Sequence, residues 1–282
     1  MSLLTRRRFL RLTAVAAGGA IALGGYARFV ELHWLELVRR RMPLRGLPPA
    51  LEGATLAHLS DLHVGRTASA YVASVLERVR GLAPDLVVYT GDFITWRGPR
   101  VLDELSRLLA SAPRGRLGTW GSLGNHDYGP NWSHAEIADA VVGRVSAAGI
   151  HVLRNERTTV EGLPLIGCDD LWANRFDPAV AFRDQPVDAD ALVLSHNPDT
   201  VDDPRWIGRG WVLAGHTHGG QVRLPFVGPP ILPVRNRRYA AGEVDLGHGR
   251  HLYVSRGVGH LLPMRFGVRP EVTLFTLSGA GP

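Results

Sequence analysis

Residues 54–63 read Ala54-Thr55-Leu56-Ala57-His58-Leu59-Ser60-Asp61-Leu62-His63, an apolar run that ends in an aspartate and a histidine. A short apolar run bounded by turn residues is typical of a buried strand. The same pattern, an apolar run followed at once by polar side chains, returns four times further along the chain. The later runs are residues 85–89, 117–123, 191–194 and 211–214.

Helix-like stretches separate the earlier runs. They cover residues 69–80, 100–110 and 133–148, and Pro84 and Pro113 follow the first two, as proline often does after a helix ends. This alternation predicts an α/β fold with parallel strands. Beyond Gly215 the chain becomes rich in glycine and proline, and Gly247-His248-Gly249 predicts a hairpin turn between residues 244–246 and 252–254.

Side chains that bind metals follow the apolar runs. In open α/β sheets the carboxyl ends of the strands meet along one edge, where ligands bind. A single Asp-x-His or His-x-His is a weak signal, but five polar motifs, each at a strand end, predict one shared site. The predicted ligands are Asp61, His63, Asp92, Asn125, His196, His216 and His218.

The chemistry of this set indicates two metal ions. Carboxylate, imidazole and carboxamide groups together suit first-row divalent ions such as Mn, Fe and Zn. A thiolate zinc site and an intrachain disulfide are both excluded, because Cys168 is the only cysteine. Seven ligands are too many for one ion that keeps open positions. Two ions that share a carboxylate fit better, and such pairs are common in phosphatases.

In these motifs the sequence resembles the calcineurin-like metallophosphoesterase superfamily, whose pattern reads D-x-H, G-D, G-N-H-[DE], H and G-H-x-H. The chain matches all five in order, from residue 54 to about residue 278: Asp61-Leu62-His63, Gly91-Asp92, Gly124-Asn125-His126-Asp127, His196 and Gly215-His216-Thr217-His218. Three further stretches are similar to its exported or membrane-associated bacterial branch: Ser195-His196-Asn197-Pro198-Asp199, Gly219-Gly220-Gln221 and Ser255-Arg256-Gly257.

The resemblance implies a four-layer α/β/β/α sandwich and a phosphoric ester hydrolase, in the first place a phosphodiesterase. It assigns one ion to Asp61, His63, Asp92 and His218, and the other to Asp92, Asn125, His196 and His216, with Asp92 bridging. His126 is not a ligand in this family and would meet the phosphate and the leaving oxygen. Two cations lower the pKa of a bridging water, and the resulting hydroxide attacks phosphorus while His126 donates a proton.

One motif departs from the protein-phosphatase branch of the family. That branch reads G-D-x-V-D-R-G, and its second Asp supports the catalytic histidine. Here Gly91-Asp92-Phe93-Ile94 is followed by Thr95-Trp96, so that Asp is missing. The difference argues against a protein Ser/Thr phosphatase and leaves the orientation of His126 unexplained. Asp127 is either its partner or a turn-forming residue.

Charge is distributed unevenly along the chain. All 32 basic residues are arginines; residues 1–45 hold nine of them against Glu31 and Glu36, a net charge of +7. The remaining residues carry 23 arginines against 24 acidic residues, a net charge of −1. The body therefore lacks the broad positive field of a nucleic-acid binder, and we expect no nucleic-acid partner.

The basic N-terminus has the layout of an export signal. Thr5-Arg6-Arg7-Arg8-Phe9-Leu10-Arg11 precedes an uncharged run over residues 12–27, which at 16 residues is shorter than a typical membrane-spanning helix. The heptapeptide resembles the twin-arginine pattern [ST]-R-R-x-F-L-[KR], which implies export of a folded protein to the envelope or periplasm. The segment is either removed or kept as a membrane anchor.

These observations divide the chain into residues 1–27, a signal or anchor; residues 28–53, a lead-in; and residues 54–282, the enzyme domain. Within the lead-in, residues 30–45 fit two interpretations. They form an edge strand that ends near Pro43, which we favour, or an amphipathic helix with Trp34, Leu35 and Leu37 against a membrane.

One apolar segment bears on the class of substrate. Residues 226–233 are apolar and proline-rich beside Arg223, Arg235, Arg237 and Arg238, and form either a membrane face or a packed loop. We expect a monomer that acts at a membrane surface on an envelope phosphodiester or phospholipid. The alternatives are a lipid enzyme like UDP-2,3-diacylglucosamine pyrophosphatase and a catalytically silent metal-binding protein.

Other polar and aromatic residues receive structural roles. Asp169-Asp170 predicts a turn, and Trp172 and Trp206 are expected in the core rather than in a substrate groove. Seven histidines outside the motifs are expected to be structural or surface groups: His33, His58, His134, His151, His248, His251 and His260.

Overall fold

Two six-stranded sheets form the framework of the protein, which we describe from a computed structural model covering residues 6–186 and 189–280. Thr5 of the predicted twin-arginine heptapeptide lies outside the described residues. So do residues 187–188 and 281–282 of the predicted enzyme domain.

The first sheet has the order β1-β12-β2-β3-β4-β5. Its strands are β1 (Glu36–Leu44), β2 (Thr55–Leu59), β3 (Leu86–Thr90), β4 (Thr119–Ser122), β5 (His151–Val152) and β12 (Glu271–Gly279). Strands β2 to β5 are parallel, and β12 runs antiparallel to β2 and parallel to β1. The predicted edge strand is therefore confirmed as β1.

The second sheet has the order β10-β11-β9-β8-β7-β6. Its strands are β6 (Glu156–Val160), β7 (Leu163–Gly167), β8 (Asp190–Leu194), β9 (Arg209–Ala214), β10 (Gly242–Gly247) and β11 (Arg250–Val254). Strands β7, β8, β9 and β11 are parallel, while β6 and β10 pair antiparallel at the two edges. The predicted hairpin is confirmed as β10–β11.

Helix α1 (Arg6–Gly25) precedes the first strand, and its described side chains are mostly exposed. Helices α2 (Ser69–Gly81), α3 (Arg100–Leu109) and α4 (Ala135–Ala147) cover the outer face of the first sheet, and the short α5 (Pro178–Ala181) packs on the second. Helix α3 shows why these segments pack, because Val101, Leu105 and Leu108 repeat at helical spacing and are buried against the first sheet. The mixed α/β sandwich is confirmed, although the helical layer on the second sheet is thin.

Apolar side chains fill the space between the sheets. Leu56 and Val88 of the first sheet lie in one buried cluster with Leu194 and Trp211 of the second. Trp206 lies in the cluster on the outer face of the second sheet, so its predicted core position is confirmed. Burial on both faces explains why the central strands read as continuous apolar runs.

Most of the N-terminal helix is exposed and does not pack on the domain. Residues Leu10–His33 form a helical segment of 24 residues, whose apolar 18-residue stretch has a mean hydropathy of 1.3 and is 6% buried. By length and composition it can cross a membrane, and a signal sequence passes the same test. The helical segment is longer than the uncharged run over residues 12–27. It continues past Arg28 as a π-helical turn over Tyr26–Val30 and a 3-10 turn over Glu31–His33.

The base of this helix packs onto the enzyme domain. The backbone N–H of Arg265 donates to the carbonyl of Ala27 at 3.0 Å, and the N–H of Val268 donates to Glu31 Oε1 at 2.8 Å. Ala27, Glu31 and Leu32 are all buried. The predicted boundary at residue 27 thus falls inside a helical segment that is joined to the domain.

Candidate metal centre

Seven side chains converge where both sheets end. Each is at most 4% exposed, although the chain positions of the seven are far apart. Asp61 and His63 follow β2, Asp92 follows β3 and Asn125 follows β4, while His196 follows β8, and His216 and His218 follow β9. The structure therefore brings all seven predicted ligands to one place.

The backbone at these positions is unusual. Five of the seven residues have a positive φ: Asp61 (56°), His63 (47°), Asp92 (53°), His216 (70°) and His218 (50°). Non-glycine residues rarely adopt this conformation, and the strain is tolerated where the surrounding structure enforces it, often at functional sites. The tight turns aim the side chains back across the strand ends.

Glycine is required at two points of the site. A Cβ on Gly215 would collide with Ser60 Oγ and the Asp61 carboxylate, and a Cβ on Gly124 would collide with the Asp92 carboxylate. The backbone can approach these carboxylates only because neither residue has a side chain.

The first group of ligand atoms comes from Asp61, His63 and His218. His63 Nε2 lies 3.0 Å from His218 Nε2, and His218 Nε2 lies 3.3 Å from Asp61 Oδ1. His63 Nε2 lies 3.8 Å from Asp61 Oδ1, so three buried donor atoms are close enough to bind one first-row cation.

The second group contains Asp61, Asp92 and His196. Asp92 Oδ2 lies 3.2 Å from His196 Nε2 and 3.5 Å from His63 Nε2, so this oxygen stands between histidines of both groups. His216 Nδ1 lies 3.3 Å from His196 Nε2. Asp92 therefore lies beside histidines of both groups, but the residue that the two groups share is Asp61. The bridging role of Asp92 stays a prediction.

Asn125 provides the test of whether the site fits a metal. Its side chain is 1% exposed, and neither its Oδ1 nor its Nδ2 has a hydrogen-bond partner. A buried carboxamide without a partner costs several kcal/mol by transfer scales, roughly 2–7, and such groups are rare in folded proteins. A cation bound to Oδ1 would give that oxygen a partner and reduce the cost, so the donor set fits a metal.

Neighbouring groups orient three of the imidazoles. His196 Nδ1 lies 2.7 Å from the carbonyl of Thr90, and His216 Nε2 lies 2.9 Å from the carbonyl of Pro233. A carbonyl only accepts hydrogen bonds, so the nitrogen beside each carbonyl carries a proton, and the opposite nitrogen of each ring faces the centre. His63 Nδ1 contacts Thr95 Oγ1 at 2.9 Å. Thr95 stands where protein phosphatases carry their second Asp, and here it orients the predicted ligand His63.

His126 lies at the open side of the cluster. Its backbone N–H donates to Asp92 Oδ1 at 2.8 Å, and its half-buried ring meets the His63 ring edge-on with centroids 5.0 Å apart. The carboxylate of Asp127 accepts from the N–H groups of Gly124 (2.9 Å) and Ile94 (3.1 Å). Asp127 therefore forms the turn. The position of the His126 ring is set by its aromatic neighbours.

Comparison with known proteins identifies the family. The sequence profile of the calcineurin-like phosphoesterases matches residues 54–220. The chain belongs to this family. It is a metallophosphoesterase, an enzyme that hydrolyses phosphoric esters, and the clustered ligands suggest that it uses divalent metal.

Several relatives resemble this phosphoesterase over nearly its whole length. Phosphodiesterase YaeI of Escherichia coli is 34% identical, over 98% of this chain and 100% of that protein. The uncharacterized metallophosphoesterase YkuE of Bacillus subtilis is 33% identical, over 98% and 99%. UDP-2,3-diacylglucosamine pyrophosphatase LpxG of Chlamydia trachomatis is 27% identical, over 88% and 91%.

Burial keeps three of the predicted histidine ligands of this phosphoesterase in the form that binds a cation. Burial lowers the pKa of His216 to about 3 and holds the pKa values of His63 and His218 well below their usual range. These rings are therefore neutral at physiological pH, which is the form that binds metal. Burial alone would raise the pKa of Asp92, but the charges of His196 and His126 and the hydrogen bond from His196 together hold that pKa well below its usual range.

Trp172 is a site residue that the sequence prediction placed wrongly. Its side chain is 36% exposed rather than buried in the core, and its ring meets the His216 ring edge-on at 4.3 Å. It also lies 4.9 Å from Trp132, whose ring is 6.3 Å from that of His126. The two tryptophans thus form an aromatic wall from one predicted ligand to the predicted acid.

Asp170 also lies beside the centre, after the carboxyl end of β7. The turn prediction is confirmed, because its Oδ1 accepts from the N–H of Ala173 at 2.8 Å. Its other oxygen is buried without a partner, and burial raises the pKa of Asp170 to about 7 despite the charge of His196. The rule that predicted the seven ligands, a polar residue after a buried parallel strand, could also have found Asp170.

Proposed function

We propose that this phosphoesterase hydrolyses a phosphodiester or phospholipid of the cell envelope with the help of two divalent cations, Mn, Fe or Zn. The observation that carries the proposal is the fully buried cluster of seven donor groups that includes the unpartnered carboxamide of Asn125. Asp61, His63, Asp92 and His218 would hold one cation, and Asp92, Asn125, His196 and His216 the other.

The residues divide the chemical work. When bound, the cations would neutralise phosphoryl oxygens and activate water as a nucleophile. His126 stands at the open side, where its ring can donate a proton to the leaving oxygen. The wall of Trp132 and Trp172 lies beside it and can contact an apolar leaving group.

A diester is favoured over a phosphoprotein. Thr95 replaces the second Asp of the protein-phosphatase motif and contacts His63 instead. A relative named phosphodiesterase, at 34% identity, supports the diester as the substrate class.

A second candidate is a nucleotide-linked lipid pyrophosphate. A relative named UDP-2,3-diacylglucosamine pyrophosphatase covers 88% of the chain and favours it. Export would separate the enzyme from a cytoplasmic substrate, so the envelope diester remains the first choice.

The N-terminus supports a location in the envelope. The twin-arginine heptapeptide precedes a helix of 24 residues whose base is packed on the domain. We propose export by the twin-arginine route with this helix as a membrane anchor. A relative of the same family named transmembrane protein with metallophosphoesterase domain, from Danio rerio, supports a membrane-bound arrangement.

One experiment tests the proposed activity. Purified full-length protein, loaded with Mn²⁺, is assayed on a bis-aryl phosphodiester, an aryl phosphomonoester and phospholipid vesicles, beside Asn125→Ala. We expect the diester to be cleaved faster than the monoester, and Asn125→Ala to lose both metal and turnover. Bound metal with no turnover on any of the three substrates would favour the catalytically silent protein instead.

A further inference from the structure

Exposed apolar side chains are concentrated in three segments that lie together. These segments, which we call the apolar rim, are residues 28–34 at the base of α1, residues 223–231 and residues 261–264. Phe226 is completely exposed, and Phe29 and Ile231 are about three-quarters exposed, at 75% and 74%. The exposed apolar residues of the rim are Phe29, Val30, Trp34, Leu224, Phe226, Val227, Ile231, Leu262 and Met264.

Few comparable residues lie elsewhere. Within the part of the chain that the structure describes, the other large apolar side chains exposed outside α1 are Trp172, Val180 and Ile207. Trp172 lies at the metal centre, so its exposure has a separate reason. Single exposed apolar residues are normal on a soluble protein, but a contiguous apolar surface marks an interaction site.

Hydrogen bonds join the three segments through residues 261–268. The N–H of Arg265 donates to Ala27 O at the base of α1, and the N–H of Arg223 donates to Phe266 O at 2.8 Å. The Gln221 side chain donates to the carbonyls of Leu262 (2.7 Å) and Met264 (2.8 Å). The loop with Phe226 therefore begins where the α1 helix meets the domain.

Arginines surround the apolar rim. Arg28 and Arg223 are exposed, and the Arg269 guanidinium stacks 3.8 Å above the Trp34 ring. The Arg66 side chain donates to the carbonyl of Leu261. Arginines with apolar side chains between them match the boundary of a bilayer, where cations meet anionic headgroups and tryptophan is favoured.

We propose that the apolar rim seats on an anionic bilayer beside the point where α1 enters it. Continuity with α1 selects a bilayer over a protein partner, since a helix of membrane-spanning length fixes the rim at the membrane boundary.

The inference rests on the proposed function and extends it, because the rim adjoins the metal centre. Pro233, two residues after Ile231, contacts His216, and Arg265 lies 3.4 Å from His218 Nδ1. The rim therefore lies next to two of the predicted ligands, His216 and His218.

A fluorescent label reports the docking directly. Full-length Phe226→Cys, carrying an environment-sensitive dye, is placed in nanodiscs of phosphatidylcholine and phosphatidylglycerol with nitroxide-labelled lipid. The native Cys168 is buried and burial raises its pKa, so the dye attaches to the introduced thiol. Val180→Cys on α5, which is exposed but outside the rim, is the matched control.

The expected result is a blue shift and the loss of most emission for the dye at position 226, with neither change at position 180. Weaker quenching in discs of phosphatidylcholine alone would show the contribution of the arginines. A dye at position 226 that stays as water-exposed as the control would overturn the proposal. A second result would also overturn it. If the dye at position 226 is shielded from water but not quenched by the labelled lipid, in discs that hold two chains each, the rim joins two copies of the protein and does not contact the bilayer.

The same samples separate this proposal from the proposed function. Hydrolysis of a soluble bis-aryl phosphodiester is measured on both labelled variants. Normal hydrolysis without quenching removes only the docking surface. Quenching of the labelled variant, together with no hydrolysis by either that variant or the unlabelled protein, removes only the enzyme activity.

Discussion

His63 Nε2 and His218 Nε2 lie 3.0 Å apart, although 155 positions separate the two residues in the chain. Burial keeps both rings neutral by lowering their pKa values. Neutral rings this close are held by a shared proton or by a cation, and Asp61 Oδ1, 3.3 Å from His218 Nε2, supplies the negative charge that a cation requires. The relationship links the end of β2 to the end of β9 across the two sheets.

Thr95→Val tests how this pair is oriented. The variant keeps the shape of the side chain but removes the hydroxyl that contacts His63 Nδ1 at 2.9 Å. Loss of such a supporting hydrogen bond typically costs about 10- to 100-fold in metal affinity, so we expect weaker Mn²⁺ binding by calorimetry. Thr159→Val on β6, an exposed position, is the control. Equal affinity in both variants would show that Thr95 does not orient His63.

His126→Gln should retain metal and lose most turnover, about 10²- to 10⁴-fold, because a general acid contributes on that scale. The loss should be larger for an alkoxide leaving group than for nitrophenolate, which leaves without a proton. Metal content and single-turnover rates are measured beside His134→Gln, a control histidine whose Nδ1 contacts Glu136 at 2.8 Å and which is not among the predicted site residues. A variant with normal metal and an unchanged rate would remove His126 from the mechanism.

Trp172→Ala should raise KM for a bis-aryl diester while kcat falls less. The Trp172 ring is edge-on to His216 and tilted against Trp132. Aromatic contacts of this kind contribute about 0.5–1.5 kcal/mol, which corresponds to about a two- to tenfold rise in KM. Trp172→Phe should restore most of the affinity. An unchanged KM with reduced metal content would mean that Trp172 only supports His216.

His58 should make the stability of the protein depend on pH. Burial lowers its pKa from 6.5 to about 3 in the folded state. The unfolded chain therefore binds a proton first as the pH falls, and stability is lost from about pH 6.5 downward, by about 2 kcal/mol between pH 7 and pH 5. His58→Gln can keep the contact with Thr90 and should flatten this dependence in urea unfolding at fixed metal concentration.

The control for this titration is His151→Gln, at an exposed position on β5. Its unfolding should follow the same pH dependence as the unmodified protein. If His58→Gln loses as much stability on acidification as the control, the buried imidazole is not the group that titrates.

Much of the site could be predicted because its information is local. Asp61 and His216 each directly follow an apolar run, and the rule that parallel strand ends share an edge brought them together. The fold beyond these strands depended on the resemblance, since the pairing of β1 with β12 joins the two ends of the chain.

The misplaced residues depend on contacts that the sequence does not encode locally. Trp172 has the composition of a core residue, and only the turn after β7 places it beside His216. Residues 26–33 combine charge and apolar character, so the sequence alone did not show that a helix from the N-terminus continues through Arg28 and packs by Glu31 onto Val268.

The central claim is that the buried cluster holds two catalytic cations. Chelator-treated full-length protein is titrated with Mn²⁺ while the turnover of a bis-aryl phosphodiester is followed. We expect turnover to rise until two equivalents of Mn²⁺ per chain are bound and then to stay constant. Full turnover at one equivalent, or two bound ions without turnover, would contradict it.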